Sequence, residues 1–344
     1  MSPAPIADDD ALEPGDALDP WPGKASEVAT SHLSVDAGPK CAPVAVTCRW
    51  PQDTAPKAYV VFCHGLGAGG NDYGELSAFL AAHGYLVIHP TFPDWIGAVA
   101  TAEPGLGYAA GDPDLLRWTT IPALRARLYE ILHTPFYWLE RIRMVRAVMA
   151  DLDTIVDRTC GRPIRPMPGV IAGHSFGAYT AQILAGVEID VPGDGLCDFA
   201  DERFKAAVLL SVPGRGQQGL RDGSWNRMSR PALIVTGTKD EGSRGQDWVW
   251  KTEPFELAPP GDKYLAIFAD ADHYLGGMTE NDPTPHRPDQ KQAVFRLTLA
   301  FLDAHVPNEG AAARWLASID DRIGDCPVTF KRNSRPVSNF LSKE

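Results

Sequence analysis

The run Gly173-His174-Ser175-Phe176-Gly177 sets a serine midway between two glycines. The short apolar stretch Gly169-Val170-Ile171-Ala172 leads into it, and an alanine-rich segment over 180–186 follows. That order reads as strand, sharp turn and helix, which pushes the serine hydroxyl out at the end of a sheet on a strained backbone. The two glycines leave room for strand and helix to approach closely. The N–H of Phe176 then points to where an oxyanion would form. Such a serine offers nucleophilic attack on a carbonyl carbon. The competing reading is a glycine-rich turn carrying an ordinary serine, so the rest of the chain has to supply partners.

A serine hydroxyl needs a base within hydrogen-bond reach, and the base needs an orienting acid. In a parallel sheet these groups sit just beyond the C-terminal ends of strands, which prunes the nine histidines sharply. His273 follows an apolar run over 263–268, in Ala269-Asp270-Ala271-Asp272-His273, and suits the base. His64 and His174 also fall at strand ends but read as residues that pack or hydrogen-bond locally, and His89 before Pro90 reads as structural. Asp240 comes straight after a run over 231–238 and gives the chain order Ser, Asp, His. Glu241 is the next candidate acid, whereas Asp270 and Asp272 stand too near His273 along the chain. The preceding strand ends at Pro213-Gly214 and offers no acid. The expected oxyanion donors are main-chain groups: the Phe176 N–H, and the Leu66 N–H in His64-Gly65-Leu66-Gly67. That glycine-rich loop lacks the Lys-Ser/Thr pair of a phosphate-binding loop. No metal-site spacing of Cys and His is present.

The elements that would hold these groups follow from the pattern. Strand signals stand over 29–35 and 43–50. Ala58-Tyr59-Val60-Val61-Phe62-Cys63 and Tyr85-Leu86-Val87-Ile88 are continuous apolar runs, as for strands buried on both faces. Between them Asn71 or Asp72 caps a helix that Gly84 ends. Residues 91–135 break the alternation with aromatics and prolines, and a helical stripe starts near Pro122 with Ile121, Leu124, Leu128, Ile131 and Leu132. An insertion after a strand's C-terminal end lies on the active-site rim. It reads either as a lid or pocket wall, with Trp95 and Trp118 lining a substrate pocket, or as a core-packing helix. One long amphipathic helix is expected over 138–156, strands over 204–212, 231–238 and 263–268, and a closing helix over 288–305. Strands alternating with helices predict an α/β chain: a mostly parallel sheet covered on both faces.

Composition bounds the partners. A net charge of −12 argues against nucleic acid or anionic lipid. No apolar run is long enough to span a bilayer. Without a basic start and apolar core at the N-terminus, the expected location is cytoplasmic, or exported if a signal was removed. Six scattered cysteines suggest no disulfide framework. Residues 1–26, acidic and rich in proline and glycine, read as a mobile arm. The main domain is expected over 27–306, and 307–344 as a tail packed on the surface. Oligomeric state is not legible.

The quoted motifs together resemble the α/β-hydrolase superfamily and, within it, the dienelactone-hydrolase-like and platelet-activating-factor-acetylhydrolase-like serine esterases. The resemblance rests on Phe62-Cys63-His64-Gly65-Leu66-Gly67, Gly173-His174-Ser175-Phe176-Gly177-Ala178, Thr236-Gly237-Thr238-Lys239-Asp240 and Asp270-Ala271-Asp272-His273. The stretch over 253–264 is similar to that group as well. It implies a cofactor-free Ser-His-Asp hydrolase of carboxylic esters acting through an acyl-enzyme, on a small-molecule or polymer ester. True dienelactone hydrolases carry a cysteine nucleophile, so their substrate is not implied. The rivals are an amidase or peptidase on the same triad, and a catalytically inactive hydrolase fold used for binding.

Overall fold

Strands buried on both faces have to be apolar at every position, and successive side chains then feed two separate cores. In the computed structural model, which describes residues 25–38, 41–161, 167–279 and 284–333, Tyr59, Val61 and Cys63 join one core while Ala58, Val60 and Phe62 join the other. The acidic arm expected over 1–26 lies, but for its last two residues, outside the described residues.

The chain opens with β1 (Val28–Val35) and β2 (Val44–Pro51), an antiparallel pair. β3 (Ala58–Cys63), α1 (Gly74–Ala82) and β4 (Tyr85–Pro90) follow. The insertion holds α2 (Ile96–Ala102) and α3 (Pro122–His133), with 3₁₀ turns between them. Next come α4 (Pro135–Ala150), α5 (Leu152–Cys160), β5 (Gly169–His174) and α6 (Phe176–Leu184). A small hairpin of β6 (Ile189–Val191) and β7 (Gly195–Cys197) forms its own sheet. β8 (Phe204–Leu210), β9 (Ala232–Lys239), α7 (Glu253–Leu257), β10 (Lys263–Asp272) and α8 (Pro288–His305) complete the alternation. The described chain ends with α9 (Gly310–Ser318), β11 (Arg322–Ile323) and β12 (Cys326–Asn333).

The main sheet has the order β1-β2-β4-β3-β5-β8-β9-β10-β12-β11. From β4 to β10 the strands are parallel, with antiparallel pairs at both edges. Helices α4, α5 and α6 bury Ile142, Val145, Ile155 and Ile183 against one face. Helices α1, α8 and α9 bury Leu76, Leu297, Phe301 and Leu316 against the other. This is the α/β-hydrolase fold expected above. Among the described residues no helix is long and apolar enough to cross a membrane.

Three expectations are corrected. The single helix over 138–156 is two, broken at Asp151 (φ −102°, ψ 15°), an aspartate being a weak helix former whose side chain competes for backbone groups. The strand over 263–268 runs on to Asp272, with a register shift between Phe268 and Asp272 that turns the chain toward His273. The tail beyond 306 does not merely rest on the surface: β12 pairs with β10 from Lys263↔Asn333 to Phe268↔Val328, so the sheet extends past the expected boundary.

The insertion builds a third small core from Ile96, Val99, Leu115, Leu124, Leu128 and Ile131, with Leu66, Trp95 and Trp118 packed against it. It is therefore seated on the loop after β3. Its Leu124, Leu128 and Ile131 are buried in that core.

Candidate active site

The strand order β3-β5-β8-β9-β10 sets five C-terminal strand ends side by side, and each carries one part of the site. After β5, Ser175 adopts φ 55°, ψ −117°, a conformation L-residues rarely take, and its N–H is held by the Leu210 carbonyl at 2.9 Å. The turn closes only because its neighbours lack side chains. A Cβ on Gly177 would lie 1.9 Å from the Cys63 carbonyl oxygen, and one on Gly173 would lie 2.4 Å from Gly177.

The structure brings Ser175, His273 and Asp240 together. His273 Nε2 is 3.0 Å from Ser175 Oγ, and His273 Nδ1 is 2.9 Å from Asp240 Oδ1. Asp240 is buried, whereas His273 keeps about 30% of its side chain exposed, toward the cavity where a substrate would sit. Burial pushes the Asp240 carboxyl up. Lys251, His273 and Ser211 outweigh it and hold the group well below the usual carboxylate range. Glu241, the other candidate acid, lines the cavity, and Asp270 pairs with Lys239 on the surface.

Leu66 and Phe176 flank the serine from the β3 loop and from the start of α6. Among the described residues no hydrogen bond from either N–H is found, and both residues line the cavity beside Ser175. Two buried histidines fix this loop. His174 Nε2 faces the His273 carbonyl at 2.7 Å, which can only accept, so Nε2 carries the proton. Its Nδ1 therefore accepts from the Tyr73 hydroxyl at 2.9 Å, and that hydroxyl accepts from the Gly65 N–H at 2.9 Å. By the same logic His64 donates Nδ1–H to the Gly65 carbonyl and accepts from the Phe92 N–H at Nε2. Burial, aided by the positive charge of Arg141, lowers His64 to about 4; burial, then His273, lowers His174 to about 3. Both remain neutral at physiological pH.

Four residues at the site escaped the sequence reading. Ser211, after β8, donates to Asp240 Oδ1 at 3.0 Å. Lys251 lies 3.2 Å from the same oxygen with 3% of its side chain exposed. Arg141 and Asp94 form a fully buried bidentate pair at 2.8 and 2.6 Å, and Arg141 Nη1 also donates to the His64 carbonyl at 2.9 Å. The Arg141 guanidinium is stacked between the rings of Phe92 and Phe176, at 4.3 and 4.1 Å.

Ser175, His273, Leu66 and Phe176 open into a cavity of about 630 Å³. The insertion contributes Trp95, Trp118, Leu115 and Tyr129 to its wall, and Gln217, Gln218 and Trp250 close the far side. Trp118 leans on Gly67, where a Cβ would come within 2.6 Å of its indole nitrogen. Trp95 lies against Gly69 and Gly97.

Over residues 60–330 the sequence matches the model of the alpha/beta hydrolase family. No curated protein matches the chain.

Proposed function

The chain belongs to the alpha/beta hydrolase family, and on that premise we propose that it is a serine hydrolase of carboxylic esters with apolar or aromatic groups. The observation that carries this reading is the contact of Ser175 Oγ with a histidine whose other nitrogen rests on a buried carboxylate. Ser175 attacks the ester carbonyl carbon as His273 Nε2 takes its proton. Asp240 holds the Nδ1–H and stabilises the imidazolium. The Leu66 and Phe176 N–H groups receive the tetrahedral oxyanion. The oxyanion collapses, the C–O bond to the alcohol breaks, and His273 returns the proton to the leaving oxygen. Water then attacks the acyl-enzyme by the same route and frees the acid. The motifs around Leu66, Ser175, Asp240 and His273 favour the dienelactone-hydrolase-like and platelet-activating-factor-acetylhydrolase-like esterases as the subgroup. The tryptophans and tyrosine of the cavity wall support apolar or aromatic acyl or alcohol groups.

A fluorophosphonate probe and a panel of esters varied in chain length and aromaticity test this together. Wild type is expected to be labelled at Ser175 and to turn over aromatic esters, with Ser175→Ala losing labelling and at least about 10⁴-fold in kcat. Equal turnover of matched anilides would move the reading to an amidase. An unlabelled wild type would leave an inactive fold.

A further inference from the structure

A lysine buried against the acid of a Ser-His-Asp set is not needed for the chemistry just described, yet Lys251 is built into this one. It sits in the 3₁₀ turn Trp248–Thr252, and each of its three ammonium protons has one acceptor. These are Ser211 Oγ at 2.9 Å, the Ser211 carbonyl at 3.2 Å and Asp240 Oδ1 at 3.2 Å. Ser211 presents its hydroxyl and its carbonyl to the same ammonium from a left-handed backbone (φ 53°), a conformation that costs a serine energy and that the fold retains here. The same hydroxyl stands 2.8 Å from His273 Nδ1 and 3.0 Å from Asp240 Oδ1. Lys251, Ser211, Asp240 and His273 thus form one closed cluster.

We propose that Lys251, acting with Ser211, is a positioning residue of the catalytic unit: its ammonium offsets the charge of Asp240 and holds the Ser211 hydroxyl between Asp240 and His273, so that the acid limb of the rate profile depends on its charge. The proposal rests on the reading of Ser175, His273 and Asp240 as a hydrolytic triad. Both Lys251 Nζ and His273 Nδ1 lie within 2.9 Å of the Ser211 hydroxyl, so less than about 6 Å separates them. At that distance, in a site of effective dielectric about 20, a full charge is felt strongly. The other groups facing His273 are Asp240 beyond β9, His174 of β5 with its ring 5.0 Å away, and the neighbouring Tyr274 with its ring at 5.5 Å. His174 is neutral, and Asp240 carries a negative charge. Among the described residues, the positive charge that opposes Asp240 is that of Lys251. Thr236 completes the carboxylate by donating to Oδ2 at 2.9 Å, leaving Oδ1 for the cluster.

The experiment is a pH profile of the rate of fluorophosphonate inactivation, and of kcat/KM on a small aryl ester, for wild type, Lys251→Met and Lys251→Gln. Folding is checked by circular dichroism, and Ser175→Ala serves as the labelling control. Both charge-removing variants are expected to shift the acid limb upward by about one pH unit, a shift reduced by the solvent that reaches His273. At one unit below the wild-type midpoint they then react about tenfold more slowly than wild type, while their plateau rates at high pH stay within about tenfold of it. An acid limb that stays in place in either folded variant overturns the proposal. If neither variant folds, Lys251 is a structural ion-pair partner and the proposal falls. Labelling of Ser175→Ala equal to wild type would refute the triad reading itself, a separate result.

Discussion

Removing Arg141 tests whether the oxyanion loop is held from beneath. Its guanidinium makes two hydrogen bonds to Asp94 and one to the His64 carbonyl, two residues before Leu66, a proposed oxyanion donor. It also lies against the ring of Phe176, the other donor residue. Arg141→Met keeps much of the apolar stem but leaves Asp94 as a buried, unpaired charge, which costs about 3–5 kcal/mol of stability. Asp94→Leu alone should cost a similar amount by stranding the arginine. The double variant, Arg141→Met with Asp94→Leu, removes both charges and is expected to recover most of that loss, since apolar replacement of a buried pair is often near neutral. Activity should not follow. With the His64 carbonyl untethered, the Leu66 N–H loses its fixed aim, and kcat should fall about 10- to 100-fold, less than the 10²–10³ for deleting a donor outright. Urea titration and kcat on an aryl ester, measured on all four proteins, separate the two effects. A double variant that regains full kcat along with its stability would show that Arg141 only balances charge. A single Arg141→Met protein as stable as wild type would refute the buried-pair reasoning altogether.

Acid should destabilise the fold through its buried histidines. His64 and His174 are lowered to about 4 and about 3 by burial first, and burial also holds His89 well below its ordinary value. In the unfolded chain these groups take up protons near 6.5, so stability is full above that pH and falls as pH drops toward the folded values. Each contributes about 1.4 kcal/mol per pH unit, and a melting temperature that stays flat from pH 7.5 to 4.5 would contradict this. Asp240, depressed in the folded state, adds its own loss only below about pH 4. Gly177→Ala should yield no folded enzyme, because the new methyl meets the backbone carbonyl of Cys63 rather than a movable side chain; soluble, active protein would refute the close approach. Trp118→Ala should lower kcat/KM on aromatic esters on the order of tenfold while changing acetate esters less, and an equal loss on both would remove Trp118 from substrate selection.

The parts of the site that could be read in advance were those fixed by local order. Ser175, Asp240 and His273 each follow an apolar strand directly, so a single rule about strand ends locates them. Ser211 follows a strand in the same way, but with an acid as the object of search a serine at that end carried no signal. Arg141 did leave a trace: it falls on the buried stripe of α4 with Trp138, Ile142 and Val145, where a charge requires a buried partner. The partner, Asp94, lies 47 residues away in the insertion, and only the fold joins them. Lys251, between Trp250 and Thr252, has no periodic context at all. β12 alternates buried and exposed side chains at its start, but it ends on Lys331, Arg332 and Asn333, so it carries little of the apolar signal of a buried strand. Charged residues of that kind are common on strands near a sheet's edge, where they discourage further pairing.

The insertion and the loop after β3 are one mechanical unit. The Gly67 N–H donates to the Asp94 carbonyl, the Ile96 N–H donates to the Gly67 carbonyl, and the Phe92 N–H donates to His64 Nε2. Trp118 and Trp95 pack on the glycines of that same loop. A side chain on the cavity wall therefore bears on the backbone that carries the Leu66 N–H. From the other side, Tyr73 and His174 connect Gly65 to the carbonyl of His273. A change in the wall then reaches His273 as well as Leu66 through a hydrogen-bond network that is mostly buried, and the low local dielectric makes such bonds costly to break. Substitutions in the insertion should alter kcat together with KM, whereas a wall that only bound substrate would alter KM alone.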